Sequence, residues 1–138
     1  MPDMVTVEVP VKVKNVIVNN IKDVDSKYKT SVPKQIKPQL EKGLAKIKVQ
    51  IPKGKTLGSY AVDVSVAIKR TDKGVYVKVD TVPTENNKIL ATTASGDATV
   101  QLDKGADPDD GDVSGAAQAA AKGAIESAIT VFKTKAKE

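Results

Sequence analysis

Valine recurs at every second position in two separate stretches of the chain, and this alternation is the strongest constraint on its fold. All odd-numbered positions from 5 to 13 are valine, and the even-numbered positions from 60 to 68 are tyrosine, valine or isoleucine. A period of two places alternate side chains on the same face of an extended strand. Both stretches therefore predict β-strands with one buried face and one face in water.

The first strand, residues 5–18, contains two interruptions. Its apolar phase slips at Asn15, which predicts a bulge or a break there. Pro10 cannot donate to a sheet ladder, so an edge position or an open backbone site is expected. Further strands are expected at residues 60–70, 75–82 and 88–102, the last with a bulge at 95–96 or a division into two.

Short connections separate these later strands. Turns are expected at residues 71–74 and 83–87, and Gly74 is expected to supply a positive φ in the first of them. Because the connections are short, neighbouring strands should form antiparallel hairpins. Longer connections are expected at residues 21–28, 52–58 and 103–112.

A first helix is predicted within residues 31–48. Ser31 and Pro33 are start signals, because serine caps free backbone amides and proline suits the first helical turn. Pro38 predicts either a kink or a regular helix that begins only at that residue. The apolar positions recur at helical spacing: they are Val32, Ile36, Leu40, Leu44 and Ile47.

A second helix is predicted from about residue 114 to 133 or beyond, with Ser114 or Asp112 as its cap. Ile125, Ile129 and Phe132 lie on one stripe and are expected to anchor it. The rest of the buried stripe is alanine, which allows close approach to a sheet: Ala117, Ala121, Ala124 and Ala128.

Together these elements predict an α+β fold. We expect a two-layer sandwich in which a mostly antiparallel sheet of four or five strands is covered by two helices, the C-terminal one rich in alanine. The length of 138 residues suits a single domain spanning 1–138.

The composition removes most catalytic chemistries. The chain has no Cys and no His, so thiolate nucleophiles, histidine bases and the commonest metal ligands are excluded. Asp63, Asp80 and Asp97 lie on predicted strands, but a catalytic pair of carboxylates needs a pocket that separates their pKa values, and no sequence feature indicates one. The sequence therefore predicts a protein that is not an enzyme and has no cofactor.

Lysine dominates the positive charge of the chain. The formal net charge is +5, and between residues 27 and 55 nine lysines stand against one acid, Glu41. Such a field attracts polyanions, which makes Lys34, Lys37, Lys42 and Lys46 candidate ligands for nucleic acid or anionic lipid. The alternative is that these lysines only solvate the outer face of the first helix.

Carboxylates cluster just before the second helix. Hard cations such as calcium favour grouped carboxylate oxygens, so a metal site is considered at Asp107, Asp109, Asp110 and Asp112. The EF-hand spacing fails, because glycine is fifth in the loop that starts at Asp107 and Gln118 is twelfth. The alternative is a solvated loop whose charges stabilise the N-terminal pole of the helix.

Three segments carry a resemblance to a known group of proteins: residues 60–66 (YAVDVSV), 88–98 (KILATTASGDA) and 116–122 (AAQAAAK). Their order resembles the small α/β domains of bacterial envelope lipoproteins, namely the curli-secretion lipoprotein, the penicillin-binding-protein activators and the TolB N-terminal-like fold. The resemblance implies a non-catalytic binding or assembly role in a cell envelope or secretion system, with a protein or envelope component as partner.

Two alternative functions stay open from the sequence. One is a lysine-rich anion-binding module, and the other is a helix-grip fold that carries an apolar ligand. No apolar run is long enough to span a bilayer, and residues 1–5 lack the features of a signal peptide. The expected compartment is the periplasm or envelope if an export signal was removed, and the cytoplasm if the chain is full length.

Overall fold

The structure, a computed structural model, describes residues 3–138; residues 1 and 2, which belong to the stretch considered for an export signal, lie outside the described residues. Its fold is α+β with a C-terminal helix, as predicted. The elements follow in the order β1 (Met4–Val9), β2 (Val11–Lys22), α1 (Tyr28–Leu44), β3 (Ile47–Pro52), β4 (Tyr60–Arg70), β5 (Gly74–Glu85), β6 (Lys88–Ile89), β7 (Ala94–Gln101) and α2 (Asp110–Ala136).

The strands form two sheets. β1 pairs antiparallel with β3, while β2, β4 and β5 lie side by side and β5 also pairs with β6 and β7. The predicted antiparallel hairpins are present between β4 and β5 and between β5 and β7. β2 and β4, for which no pairing was predicted, are parallel. A whole helix and a strand separate these two in the chain, and this length of crossover allows parallel pairing.

The first predicted strand is divided at Pro10 into β1 and β2. Proline has no backbone amide to donate, and the two halves join different sheets. The irregularity expected at Asn15 is confirmed, because the register with β4 shifts between Val13 and Val16. β2 then continues to Lys22, so the connection expected from residue 21 begins later than predicted.

α1 begins before Ser31 and contains both Pro33 and Pro38. A proline inside a helix costs about 3 kcal/mol or more. The helix nevertheless buries four large apolar side chains, each stabilising by about 1.5–3 kcal/mol, so packing outweighs the proline cost: they are Val32, Ile36, Leu40 and Leu44. Ile47, assigned to the helix from its spacing, instead starts β3.

β3 was not predicted from the sequence. Its side chains alternate, with Ile47, Val49 and Ile51 buried and Lys48 and Gln50 exposed. The strand therefore contributes one face to the core and presents the other to solvent.

The turns around β5 differ from their predictions. Gly74 has no positive φ; it is required because a Cβ there would lie 1.9 Å from the carbonyl oxygen of Val100 on β7.

β5 continues through Pro83 to Glu85, and the turn to β6 is made by Asn86 and Asn87, whose φ angles are 51° and 66°. Two residues of positive φ are typical of the tight hairpin turn that matches strand twist. The predicted strand at 88–102 is divided into β6 and β7, which was one of its two alternatives.

α2 begins at Asp110, before the predicted start, and neither Ser114 nor Asp112 is its N-cap. Asp109 is the cap: its Oδ1 accepts from the amide of Asp112 at 2.8 Å, and Oδ2 of Asp112 accepts from the amide of Asp109 at 2.9 Å. This reciprocal pair satisfies two of the free amides at the helix start.

α2 packs on β5 and β7 and also contacts α1, which itself packs on β2. Its contact with β7 brings backbone against backbone: a Cβ on Gly96 would lie 2.2 Å from the carbonyl oxygen of Ala120. The helix can lie this close because alanine fills its buried face: Ala116, Ala117, Ala120, Ala121, Ala124 and Ala128 are fully buried.

The predicted anchor of α2 is only partly correct. Phe132 is fully buried and stacks on Tyr60 with ring centroids 4.4 Å apart. Ile125 and Ile129 are half-buried. Ile125 lies over Gly43 of α1, where an added Cβ would come within 2.8 Å of its Cδ1. Alanine packing and Phe132, rather than an isoleucine stripe, hold α2 in place.

Replacing Gly96 by alanine should destabilise the protein by about 3 kcal/mol or more, because the new Cβ meets backbone atoms that cannot move independently. The matched control is Gly115→Ala on α2, where the nearest atom to an added Cβ is Val100 Cγ2 at 3.8 Å. This control should stabilise by about 0.5–1 kcal/mol, as alanine favours a helix over glycine. Urea unfolding of both variants measures the difference; equal stabilities would contradict the close contact.

Phe132→Ala should lower the free energy of unfolding by about 3–5 kcal/mol, because it empties a fully buried aromatic site. Tyr60→Phe is the companion variant. The Tyr60 hydroxyl is buried with no hydrogen-bond partner among the described residues, so its removal should not destabilise and is expected to stabilise by about 1 kcal/mol. Thermal melts test both, and a large loss for Tyr60→Phe would indicate an unseen hydrogen bond.

Candidate anion-binding site

The four lysines predicted to bind anions are exposed but do not converge. Lys34, Lys37 and Lys42 lie on α1, and Lys46 lies between α1 and β3. On a helix of 3.6 residues per turn, Lys37 and Lys42 point about 140° apart. Their arrangement follows the outer arc of α1, as expected for a solvated face.

Other lysines of the same basic segment have structural roles. Lys27 forms an ion pair with Asp110 at 3.0 Å. Lys55 donates from Nζ to the backbone carbonyls of Lys135, Ala136 and Glu138, at 3.3, 3.1 and 2.7 Å. A lysine at this position satisfies carbonyls that have no partner within the helix and complements the negative end of the helix dipole.

Three further lysines surround one depression of about 330 Å³. We call it the lysine cleft; it lies between the β1–β3 sheet and the last turns of α2, and its lining residues are Thr6, Lys48, Val49, Gln50, Lys133 and Lys137. Within residues 3–138, none of its lysines has a carboxylate oxygen within 4.0 Å.

Local structure explains how the cleft residues meet. The alternation of β3 turns Lys48 and Gln50 outward while their neighbours enter the core. Thr6 stands opposite Gln50 in the β1–β3 ladder and so faces the same side. Lys133 lies in the last turn of α2, and Lys137 is the C-cap residue, whose backbone is still in the helical conformation. Being four residues apart, the two side chains share one helix face. The buried side chains of Phe132 and Ala136 hold that end of the helix against the core.

The cleft combines charge with neutral hydrogen-bond donors. Each lysine ammonium carries three donors, and the threonine hydroxyl and glutamine amide add uncharged ones. Glu8 stands opposite Lys48 in the ladder, but the two side chains form no ion pair in the described part of the chain. The arrangement can hold an anion through charge-assisted hydrogen bonds.

A second depression, of about 480 Å³, lies on the open face of the larger sheet. Lys22, Lys69 and Lys78 line it together with Tyr76, and the Lys69 ammonium lies 5.2 Å from the Tyr76 ring centre. Acidic side chains offset this charge. The Tyr76 hydroxyl donates to Asp97 at 3.1 Å, and Lys78 lies 3.7 Å from a carboxylate oxygen of Asp80. The lysine cleft is therefore the stronger candidate for an anion.

The strand carboxylates considered for catalysis have separate partners. Asp63 accepts from the Asn15 amide at 3.4 Å, Asp80 accepts from the Ser95 hydroxyl, and Asp97 accepts from Tyr76. They lie on the open face of the sheet, and the structure shows no hydrogen bond that joins any two of them within residues 3–138.

The acidic loop is used for helix capping and for contact with α1. Asp109 and Asp112 form the capping box, while Asp110 accepts from the Tyr28 hydroxyl at 2.9 Å and pairs with Lys27. Asp107 is exposed. Among residues 3–138, no three acidic side chains are grouped so that they could hold a metal ion. The placement agrees with the helix-pole alternative.

The cleft joins segments that sequence reasoning treated separately. Lys48 belongs to the basic segment at residues 27–55, whereas Lys133 and Lys137 are not among the lysines that the sequence indicated as anion ligands. The alternation of residues 47–51 could have indicated β3 and its outward lysine. Nothing local could have placed that strand beside the end of α2.

Asp110→Asn should make the protein less stable at pH 7 and have little effect near pH 2. Hydrogen bonds from Lys27 and Tyr28 hold the pKa of Asp110 below its ordinary value. Its contribution is therefore complete above the unfolded pKa, about 3.9, and is lost as the pH falls through the lower folded pKa. Thermal melts across this range test the prediction. Asp107→Asn is the control, and an equal effect of both substitutions at pH 7 would contradict it.

No protein-family model matches this chain, and no curated protein matches it significantly. Neither helix of residues 3–138 is long and apolar enough to cross a bilayer. The resemblance to envelope lipoprotein domains therefore stays a prediction.

Proposed function

We propose that this chain is a non-catalytic binding module that holds a phosphate-bearing anion in the lysine cleft. The observation that carries the proposal is the convergence of Lys48, Lys133 and Lys137 on one depression without a carboxylate partner in the described residues. Lysine acts as a point charge and lacks the planar fork of arginine. The site should therefore recognise charge and phosphate rather than a particular sequence of bases.

The distribution of titratable groups supports a non-catalytic role. A general acid or base works best with a pKa near the operating pH. The shifted pKa values all move away from neutrality. Burial raises the pKa of Tyr28 and Tyr60 to about 12, burial and Asp97 raise that of Tyr76, Asp110 raises that of Lys27, and Lys27 lowers that of Asp110.

The packing of α2 bears on the apolar-carrier alternative. Fully buried alanines contact the sheet directly, and the stacked rings of Tyr60 and Phe132 fill the space near the end of the helix. This favours tight contact between helix and sheet over a ligand cavity. The envelope or secretion setting stays a prediction, and an anion-binding module is compatible with it.

Inorganic pyrophosphate is a suitable probe for the proposed site, measured by isothermal titration calorimetry at about 10 mM salt, where the Debye length is about 30 Å. Lys48→Ala combined with Lys133→Ala should weaken binding at least about tenfold, since hydrogen bonds between charged groups contribute about 1.5–3 kcal/mol each. The matched control is Lys34→Ala with Lys37→Ala, which removes the same charge from α1 and should weaken binding clearly less than the cleft variant, because these lysines act on the probe only through the long-range field.

Two results would overturn the proposal. Equal losses in the two double variants would show that only the overall positive field attracts the probe. A complete absence of heat when the unsubstituted protein is titrated at low salt and at two temperatures, with the protein folded by circular dichroism, would show that the cleft holds no phosphate.

A further inference from the structure

We propose that the anion held by the lysine cleft is the phosphodiester headgroup of an anionic lipid bilayer, with Met4 and Val5 entering the interface beside it. This inference rests on the proposed function, because it identifies the ligand class of the same site. It adds an apolar contact that a soluble phosphate would not use.

Exposed apolar side chains lie next to the cleft. Met4 and Val5, at the start of β1, are each 39% exposed. Side chains two residues apart on a strand share a face, so Met4 lies on the same face of β1 as Thr6, which lines the cleft. Val5 lies on the opposite face and is exposed because β1 begins there. Cationic side chains beside exposed apolar ones are typical of surfaces that lie on a membrane.

The end of the β1–β3 ladder gives this surface its shape. Met4 pairs with Pro52 at the last position of the ladder, and Val5 pairs with Ile51. The amide of Lys53 donates to the carbonyl of Asp3 at 2.8 Å, which ties the two chain segments together beyond the strands. The ladder therefore ends in a short apolar tip that the backbone holds rigidly. Asp3 also lies there, and Glu8 stands opposite Lys48 in the ladder. Attraction to an anionic surface therefore depends on the three lysines of the cleft, which outnumber these two acids.

The charge of the cleft is sufficient for measurable attraction to an anionic bilayer. A lysine close to an anionic leaflet increases partitioning by about fivefold, and several lysines act together when they face the same surface. Lys48, Lys133 and Lys137 meet this condition because they line one cleft. Lys34, Lys37 and Lys42 do not, since they are spread around α1.

Nucleic acid is the competing polyanion, and the lining of the cleft disfavours it. Proteins that bind single strands add aromatic side chains on which bases stack, and specific duplex recognition uses arginine forks. The cleft lining contains neither residue type. Tyr76, the half-buried aromatic, lies on the open face of the other sheet.

Vesicle co-sedimentation tests the inference with the full chain. Vesicles of phosphatidylcholine with about one-third phosphatidylglycerol are compared with pure phosphatidylcholine, at about 10 mM and about 150 mM salt. We expect binding to the anionic vesicles only, weakened by salt. Lys48→Ala with Lys133→Ala should reduce partitioning by about 25-fold, which is the product of two lysine contributions.

The apolar contact has its own variant and control. Met4→Ser with Val5→Thr should reduce vesicle binding by about threefold to tenfold because less apolar surface enters the interface, while pyrophosphate binding stays unchanged. Ile17→Thr with Ile89→Ser removes other exposed apolar side chains, 56% and 64% exposed, and should leave both measurements unchanged. Circular dichroism melts confirm that each variant is folded.

The outcomes separate the two proposals. Pyrophosphate binding without vesicle binding overturns the lipid assignment and leaves the anion site standing, whereas loss of both overturns both. Vesicle binding that survives Met4→Ser with Val5→Thr undiminished rejects the apolar tip. Binding of poly(dT) or duplex DNA through Lys48 and Lys133, with no binding to vesicles, would identify nucleic acid as the ligand instead.

Discussion

The contact between α2 and β7 at Gly96 determines how the rest of the molecule is arranged. An added Cβ on Gly96 would overlap the backbone of α2, so the helix lies nearer to this strand than a side-chain layer would permit. The small alanine side chains along the helix allow the helix and the strand to lie this close. They also require it, because an alanine face lying further from the strand would leave voids in the core. Ser127 adds a hydrogen bond from its hydroxyl to the carbonyl of Ser95 at 2.8 Å.

The position of α2 in turn decides which charges remain free. Its start is joined to α1 through Asp110, Tyr28 and Lys27, and its end is satisfied by Lys55. These contacts involve charged side chains of the acidic loop at residues 103–112 and of the basic segment at residues 27–55. Arg70, the single arginine, is also occupied, since it donates to the carbonyls of Ala106 at 3.0 Å and Asp103 at 3.2 Å and to that of Thr71. What remains without an ion-pair partner, within the described residues, includes the lysines of the cleft.

Sequence patterns predicted those strands and helices whose buried residues recur at a regular spacing along the chain. The alternation of residues 60–70 predicted β4 with its full length, and the inward valines of β5, Val75, Val77 and Val79, are fully buried. The alternation also indicated the irregularity at Asn15.

Sequence reasoning failed where a contact between distant parts of the chain decided the structure. α1 includes two prolines because its buried face is fully packed, and β3 forms because β1 is available to pair with it. The prediction that Gly74 supplies a positive φ is wrong; glycine is needed there because a neighbouring strand passes too close for a Cβ.

By itself, the sequence determined the fold class, the chemistry that is excluded and the excess of lysine. Alternation and helical spacing report which faces must be buried, and composition reports which reactive groups exist. Only the tertiary structure decided which lysines lie together. Lys48 and Lys133 are far apart in the chain, and their distance in space depends on the packing of α2 and on the pairing of β1 with β3. Electrostatic interactions act through space. Counting charge along the chain therefore predicted a basic segment, whereas in the folded chain lysines from distant segments, without ion-pair partners among the described residues, line one cleft.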